Sequence, residues 1–342
     1  MILFRCARDS DIDGIYHLAK HSGVGMTTLP KNKNLLTKRI HWSTKSYQKD
    51  LLTPQDEYYF FVLEDLNTHE LVGTSAIEAR IGHRVPFYSY KISKRTRICH
   101  SLKIHSNYDV LSLVNDNQGA SEVCTLFLNP EYRKNNNGLL LSKARFLFMA
   151  FAPHRFASTV IAELRGVCDK NGHSPFWDHV GAHFFHMSFA KADRLTLSTN
   201  KQFIADLMPR NPIYVSLLPK EAQLVIGQAH HSSVPAMNIL LKEGFRYNNY
   251  IDIFDAGPTI EAPLSEIKTI SHSHVMMVKN ICDEVSSHDY LLANNQLDFR
   301  ATVSAALLNN EERTCTISKK TAQILKIQCG DKIRVAPLIA QS

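Results

Sequence analysis

Six residues, Arg133-Lys134-Asn135-Asn136-Asn137-Gly138, stand between an apolar β-prone run and an apolar run at helical spacing. The first run is Val123-Cys124-Thr125-Leu126-Phe127-Leu128, ended by Asn129-Pro130-Glu131-Tyr132. The second begins Leu139-Leu140-Leu141-Ser142-Lys143-Ala144-Arg145-Phe146. Strand, loop and helix in this order make an anion site, because the loop turns unpaired N–H groups on a ligand and the helix dipole adds its positive end. Arg133 and Lys134 add charge without being needed for the cradle. The chemistry implied is a pyrophosphate grip on the handle of a cofactor.

The surrounding elements read as α/β. Ile2-Leu3-Phe4-Arg5 alternates like a strand. Arg8 to Ile15 starts a helix, with Ser10 and Asp13 spaced as a capping box and Ile12, Ile15 and Leu18 on one face. Tyr58 to Glu64 and Leu71 to Ala79 read as a hairpin around Asp65 to Glu70. Ala236 to Arg246 is a helix stopped at Gly244 and passing into a strand. Pro175-Phe176-Trp177 to Gly181 and Phe184-Phe185 hint at an internal repeat, although one copy alone carries a phosphate loop. The elements predict an α/β domain over residues 1–260 and a small β-rich addition over 261–342. In that addition Leu291 to Asn294, Phe299 to Val303 and Gly330 to Val335 surround a short helix at Ser318 to Leu325.

Composition narrows the class. A chain of 342 residues with 44% hydrophobic content builds a packed protein rather than a disordered one. No apolar stretch follows an N-terminal basic region, and the longest apolar run, Phe146 to Ala152, is far too short to cross a bilayer. The seven cysteines are scattered without a C-x-x-C pair, which points to a reducing cytoplasm, no disulfide framework and no zinc ribbon. Net charge is 39 − 32 = +7, compatible with an anionic cofactor. The densest basic stretch, Lys91 to Lys103, lacks aromatics placed to stack on bases and reads as a solvated surface or the rim of a phosphate site, so no nucleic acid is expected. His179, His183 and His186 fall at i, i+4 and i+7 of any helix. Without a carboxylate or cysteine at ligand spacing, an amphipathic helix edged by histidines is the plainer account, and no metal is expected.

The loop resembles the R-x-x-G-x-G pattern of the GNAT acyl-CoA-dependent N-acyltransferases, with Asn136 where that pattern has Gly. Asn is the non-glycine residue best able to take positive φ. Many GNAT proteins also begin strand, helix, hairpin, cofactor strand. More specifically, Ser121 to Leu128, Ala162 to Val167, Ser174 to Trp177, Leu207 to Tyr214, Val225 to His230 and Tyr250 to Thr259 resemble the arginine N-succinyltransferase family. The resemblance implies a GNAT-type mixed sheet flanked by helices. It also implies transfer of a succinyl group from succinyl-CoA to the α-amine of L-arginine, the first step of the succinyl route of arginine degradation. Succinyl-CoA would be a co-substrate rather than a permanent cofactor. By position the resemblance assigns Leu126 to succinyl-CoA binding and His230 to proton donation. The chain departs from the family at Asn136, at His231 in place of a proline, and in a thinned Gly-rich run near Val24.

Amine attack on a thioester needs a neutral amine, a stabilised oxyanion and a protonated thiolate. Main-chain N–H groups near Leu126 and Phe127 suit the oxyanion. His230 suits either proton transfer, since its reference pKa is about 6.5. Its plain alternative is a capping histidine before Pro235. Glu122 and Glu163 are rival bases, or partners of buried arginines such as Arg165. Cys124 is better read as a small core residue than as a nucleophile. Glu64, Glu78, Asp169, Asp178 and Asp255 are candidate partners for a guanidinium, and the sequence does not choose among them. It also leaves open ornithine or another basic amino acid as acceptor, a homo- or hetero-oligomer, and a decayed CoA-binding regulatory protein supported by Asn136.

Overall fold

The computed structural model describes residues 1–23, 26–83, 85–196 and 202–339. Val24, in the thinned Gly-rich run, lies outside the described residues. The first strands are β1 (Ile2–Cys6), β2 (Tyr58–Asp65) and β3 (Glu70–Glu78), the latter two being the expected hairpin. After them come β4 (Ser89–Cys99), β5 (Ile104–Val114), β6 (Ser121–Leu128), β7 (Thr159–Glu163), β8 (Ile213–Tyr214), β9 (Arg246–Ile251) and β10 (Pro258–Pro263). The C-terminal strands are β11 (His274–Cys282), β12 (Asp289–Asn294), β13 (Arg300–Asn309), β14 (Thr314–Ser318) and β15 (Lys332–Pro337). Among the described residues they form one mixed sheet, ordered β12-β15-β11-β14-β13-β1-β2-β3-β6-β7-β10-β9-β4-β5-β8. An additional β12–β13 pairing closes the five C-terminal strands into a small barrel, joined to the rest where Phe4 of β1 pairs Ala301 of β13.

Helices α1 (Ile12–His21) and α2 (Lys33–Gln48) cover one face of the sheet, and α3 (Asn137–Phe151) lies in the opposite core. The start of α1 differs from the expected Ser10–Asp13 box. A 3-10 turn over Asp9–Asp11 precedes it, and the Asp11 carboxylate accepts from Arg8 N–H at 2.8 Å while bridging Arg5 at 2.7 Å. A charged partner at Arg5 makes Asp11 the better anchor.

Helix α3 is buried nearly all round, from Leu140 to Met149, because the C-terminal strands cover the side that the main sheet leaves open. Its Lys143 is held by Glu243 at 3.1 Å and by the Leu338 carbonyl at 2.8 Å. The helix that carries the loop at 133–138 is thus fixed from several directions.

Short helices α4 (Pro175–His179), α5 (Gly181–Phe185), α6 (Phe189–Leu195), α7 (Gln202–Leu207) and α8 (Lys220–Val225) build a second core around Trp177, Phe176 and Phe254. The chain breaks at Val180 (φ −126°, ψ −77°), which divides His179 from His183, and His186 sits beyond α5 at φ +50°. The expected three-histidine helix face therefore does not form. His179 is instead paired with Glu221. Helix α9 (Val234–Lys242) ends near Gly244 and leads to β9, as the sequence suggests, and Ser318 caps the helix Lys319–Leu325 by accepting from Thr321 N–H at 3.1 Å.

Candidate functional site

Strands β6 and β7 are parallel and pair at Ser121↔Val160 and Glu122↔Ile161. Beyond that register they part, and a cleft of about 1640 Å³ lies between them. Val123 to Leu128 line one wall; Ala162 to Arg165 line the other. On the far side of β6 the β3 partner keeps step by a bulge. Thr74 faces Phe127 and Ala76 faces Cys124, so Thr125 and Leu126 stand opposite Ser75 alone. Thr125 takes φ +56°, which is unusual for a β-branched residue. It is held there by its carbonyl, which accepts from Thr74 Oγ1 at 3.0 Å, and by a hydroxyl contact with Tyr58 at 3.1 Å. Bulges beside reactive centres re-aim backbone groups, and this one turns the strand at the middle of the cleft.

At the cleft's end lies the loop from Arg133 to Gly138, at the N-terminus of α3. Asn135 and Asn136 take φ +51° and +63°, so Asn136 adopts the left-handed conformation expected of it at the N-cap of α3. Asn137 Nδ2 donates to the Tyr132 carbonyl at 3.0 Å and Arg133 Nε to the Leu128 carbonyl at 3.2 Å, which fixes the turn. Among the described residues, the backbone N–H groups of Asn135, Asn136, Gly138 and Leu139 make no hydrogen bond. A Cβ at Gly138 would meet nothing nearer than Leu128 at 3.9 Å, so the space before these donors is open. Four free donors at a helix N-terminus are what a pyrophosphate requires.

His230 reaches the same cleft through an extension of β7. Gly166 bridges Ala229, and the His230 N–H donates to the Arg165 carbonyl at 2.8 Å. This approach depends on Gly166, whose added Cβ would lie 2.3 Å from the Asp255 carbonyl oxygen and 2.6 Å from Gly257 N. Asp255 clamps the junction by accepting from Gly166 N–H at 2.8 Å and from Gly257 N–H at 2.9 Å. The His230 ring stacks on His231 with centroids 4.1 Å apart. Its Nδ1 accepts from Ser232 N–H at 3.2 Å and lies 2.7 Å from Ser232 Oγ. Burial, with Arg165 and His231 adding positive charge, lowers its pKa to about 4. The ring is neutral near pH 7.

Glu122, Glu163 and Cys124 also line the cleft. Burial beside Glu122 drives the Cys124 thiol far above its ordinary range, which suits a core residue and not a nucleophile. Of the five acids considered for a guanidinium, Asp169 and Asp255 line the cleft. Glu64 is taken by Arg5 at 2.6 Å, and Asp178 lies 3.8 Å from His173. Two cleft acids carry no signal in the sequence, Asp193 from α6 and Asp252 beside Asp255. Burial and the Asp252 charge raise Asp193 to about 7.

Parted strands beside a loop of free N–H donors at a helix N-terminus, with a histidine on the same cleft, fit an acyltransferase that draws its acyl group from a CoA thioester. The chain matches the family model described as arginine N-succinyltransferase beta subunit over residues 2–269, and that of the subunit's C-terminal domain over 274–337. It is 42% identical to the arginine N-succinyltransferase of Photorhabdus laumondii, covering 99% of this chain and 98% of the relative. With that of an Escherichia coli strain identity is 41%, covering 100% and 99%. The solved subunit AI of arginine/ornithine succinyltransferase from Pseudomonas aeruginosa superposes with a TM-score of 0.90 at 37% identity, covering 99% of both chains. The chain belongs to the arginine N-succinyltransferase family. Among the described residues, no helix is long and apolar enough to cross a membrane.

Proposed function

We propose that this chain transfers the succinyl group of succinyl-CoA to the α-amine of L-arginine, giving N2-succinyl-L-arginine and CoA, the opening step of arginine catabolism. The observation that carries the reading is one cleft shared by the 133–138 loop, the parted β6 and β7, and His230. Arg133 to Gly138 hold the pyrophosphate of CoA, and the pantetheine arm runs along Leu126 towards the bulge. Main-chain N–H groups around Leu126 and Phe127 stabilise the oxyanion, a role supported by the bulge that takes this segment out of the ladder.

His230 serves the leaving thiolate. An obligate donor occupies its Nδ1, so the neutral ring carries its proton on Nε2 and presents a donor to developing negative charge. The amine arrives neutral, or loses its proton to a cleft carboxylate such as Glu122 or Glu163. We further propose that residues 1–260 form the transferase unit and 261–342 a small β-rich unit docked on it, a division supported by the barrel's own core around Met276, Leu292 and Val335.

Ornithine as acceptor, with this chain as one subunit of a larger enzyme, is the second reading, favoured by the likeness to the Pseudomonas subunit. Thiol release from succinyl-CoA or acetyl-CoA with arginine or ornithine tests both. Arginine-dependent release from succinyl-CoA supports the first reading. Release with ornithine at equal efficiency moves the acceptor, and no release with any pair removes both.

A further inference from the structure

Arg165 is a cation inside the cleft with most of its hydrogen-bonding capacity unused. Its Nε is buried without a hydrogen-bond partner. Among the described residues its guanidinium makes one hydrogen bond, from Nη2 to Cys168 Sγ at 2.9 Å, and sulfur is a weak acceptor. No carboxylate stands within ion-pair distance of it among the described residues, although its charge reaches Asp193 at longer range. Guanidinium donors taken from water and left unfilled are costly, and a planar fork is shaped for a carboxylate.

Its position is fixed by the fold and not by its side chain. The backbone carbonyl of Arg165 accepts from His230 N–H. Arg165 lines the same cleft as the bulged segment and lies beside His230.

We propose that Arg165 binds a substrate carboxylate and thereby sets the enzyme's preference for carboxylate-bearing substrates. This rests on the function proposed above, whose two substrates each bring one: the free end of the succinyl group and the α-carboxylate of arginine. Acetyl-CoA and agmatine, the decarboxylated form of arginine, are the matched ligands without it.

The test is equilibrium titration of the full chain, and of Arg165→Gln and Arg165→Lys, with succinyl-CoA, acetyl-CoA, L-arginine and agmatine. Binding is read without turnover, so the outcome is separate from whether the wild type releases thiol from succinyl-CoA and arginine. Wild type is expected to prefer the carboxylate-bearing member of one pair by roughly tenfold or more, and Arg165→Gln to lose that preference. Loss within the CoA pair assigns the succinyl end, and loss within the amino-acid pair assigns the α-carboxylate. Arg165→Lys keeps the charge without the fork and should fall between. The proposal is overturned if wild type shows no preference in either pair, if Arg165→Gln keeps it, or if affinity falls equally for all four ligands. Should Arg165→Gln fail to fold, Arg165→Lys at wild-type preference likewise removes the fork from the account.

Discussion

The backbone N–H of Ser232 donates to Nδ1 of His230 at 3.2 Å, closing a tight loop that decides which nitrogen of the ring holds the proton. A backbone amide cannot accept, so Nδ1 must, and the proton of the neutral ring falls to Nε2. Removing the ring in His230→Ala should lower kcat by about 100-fold or more, whereas His230→Gln, which can restore a donor, should retain more activity. Equal loss in both variants would show that the ring's donor is not what matters.

The pKa of His230 also fixes a pH dependence. Because the folded ring binds a proton only near pH 4, it remains neutral through the range where an ordinary histidine titrates. The profile of kcat/KM should show no acidic limb near pH 6.5 that disappears in His230→Gln. Such a limb would place the folded pKa back at the ordinary value.

Asn136 holds a left-handed conformation at φ +63°. Asn136→Gly should leave CoA affinity within a few-fold of wild type. Asn136→Val, branched at Cβ, should weaken CoA binding by roughly tenfold, the consequence of about 1–2 kcal/mol of left-handed strain. Titration with CoA reads both, and equal affinity in the two variants would contradict a conformational role for the loop.

The loop and the elements around it were legible because their signals are local: a β-prone run, a polar turn and an apolar helix within one continuous stretch. The hairpin before β6 and the helix at Val234–Lys242 were legible for the same reason. The Thr125 bulge was not, because its cause is the mismatch with β3 and the hydroxyls of Tyr58 and Thr74, far away in the chain. Asp11 rather than Ser10 anchors α1 because Arg5, on the preceding strand, selects it. The three histidines at helical spacing misled because Val180 breaks the helix. The meeting of Arg165 with His230 depends on the Gly166–Ala229 bridge, and no spacing rule announces that contact.

Gly166 sits against the Asp255 clamp with no room for a side chain. Gly166→Ala should destabilise the fold by about 1–3 kcal/mol and reduce activity together with stability. Thermal unfolding and thiol release on the same sample check this. Unchanged stability would mean that the bridge to His230 tolerates displacement.

Asp193 is an acid whose folded pKa, about 7, lies above its unfolded value of about 3.8. The folded state holds its proton more tightly, so stability falls as pH rises from about 4 to 7 and stays reduced above that. Asp193→Asn should therefore unfold a few degrees higher than wild type at pH 8, with the difference vanishing near pH 4. A difference independent of pH would reject the raised pKa.

The most direct measurement is the product of a reaction holding the purified chain, succinyl-CoA and L-arginine. Mass and fragmentation should show one succinyl group on the α-nitrogen, formed in step with thiol release and strongly reduced in His230→Ala. Succinyl-CoA left intact in the presence of arginine, under conditions where the protein binds CoA, would contradict the account.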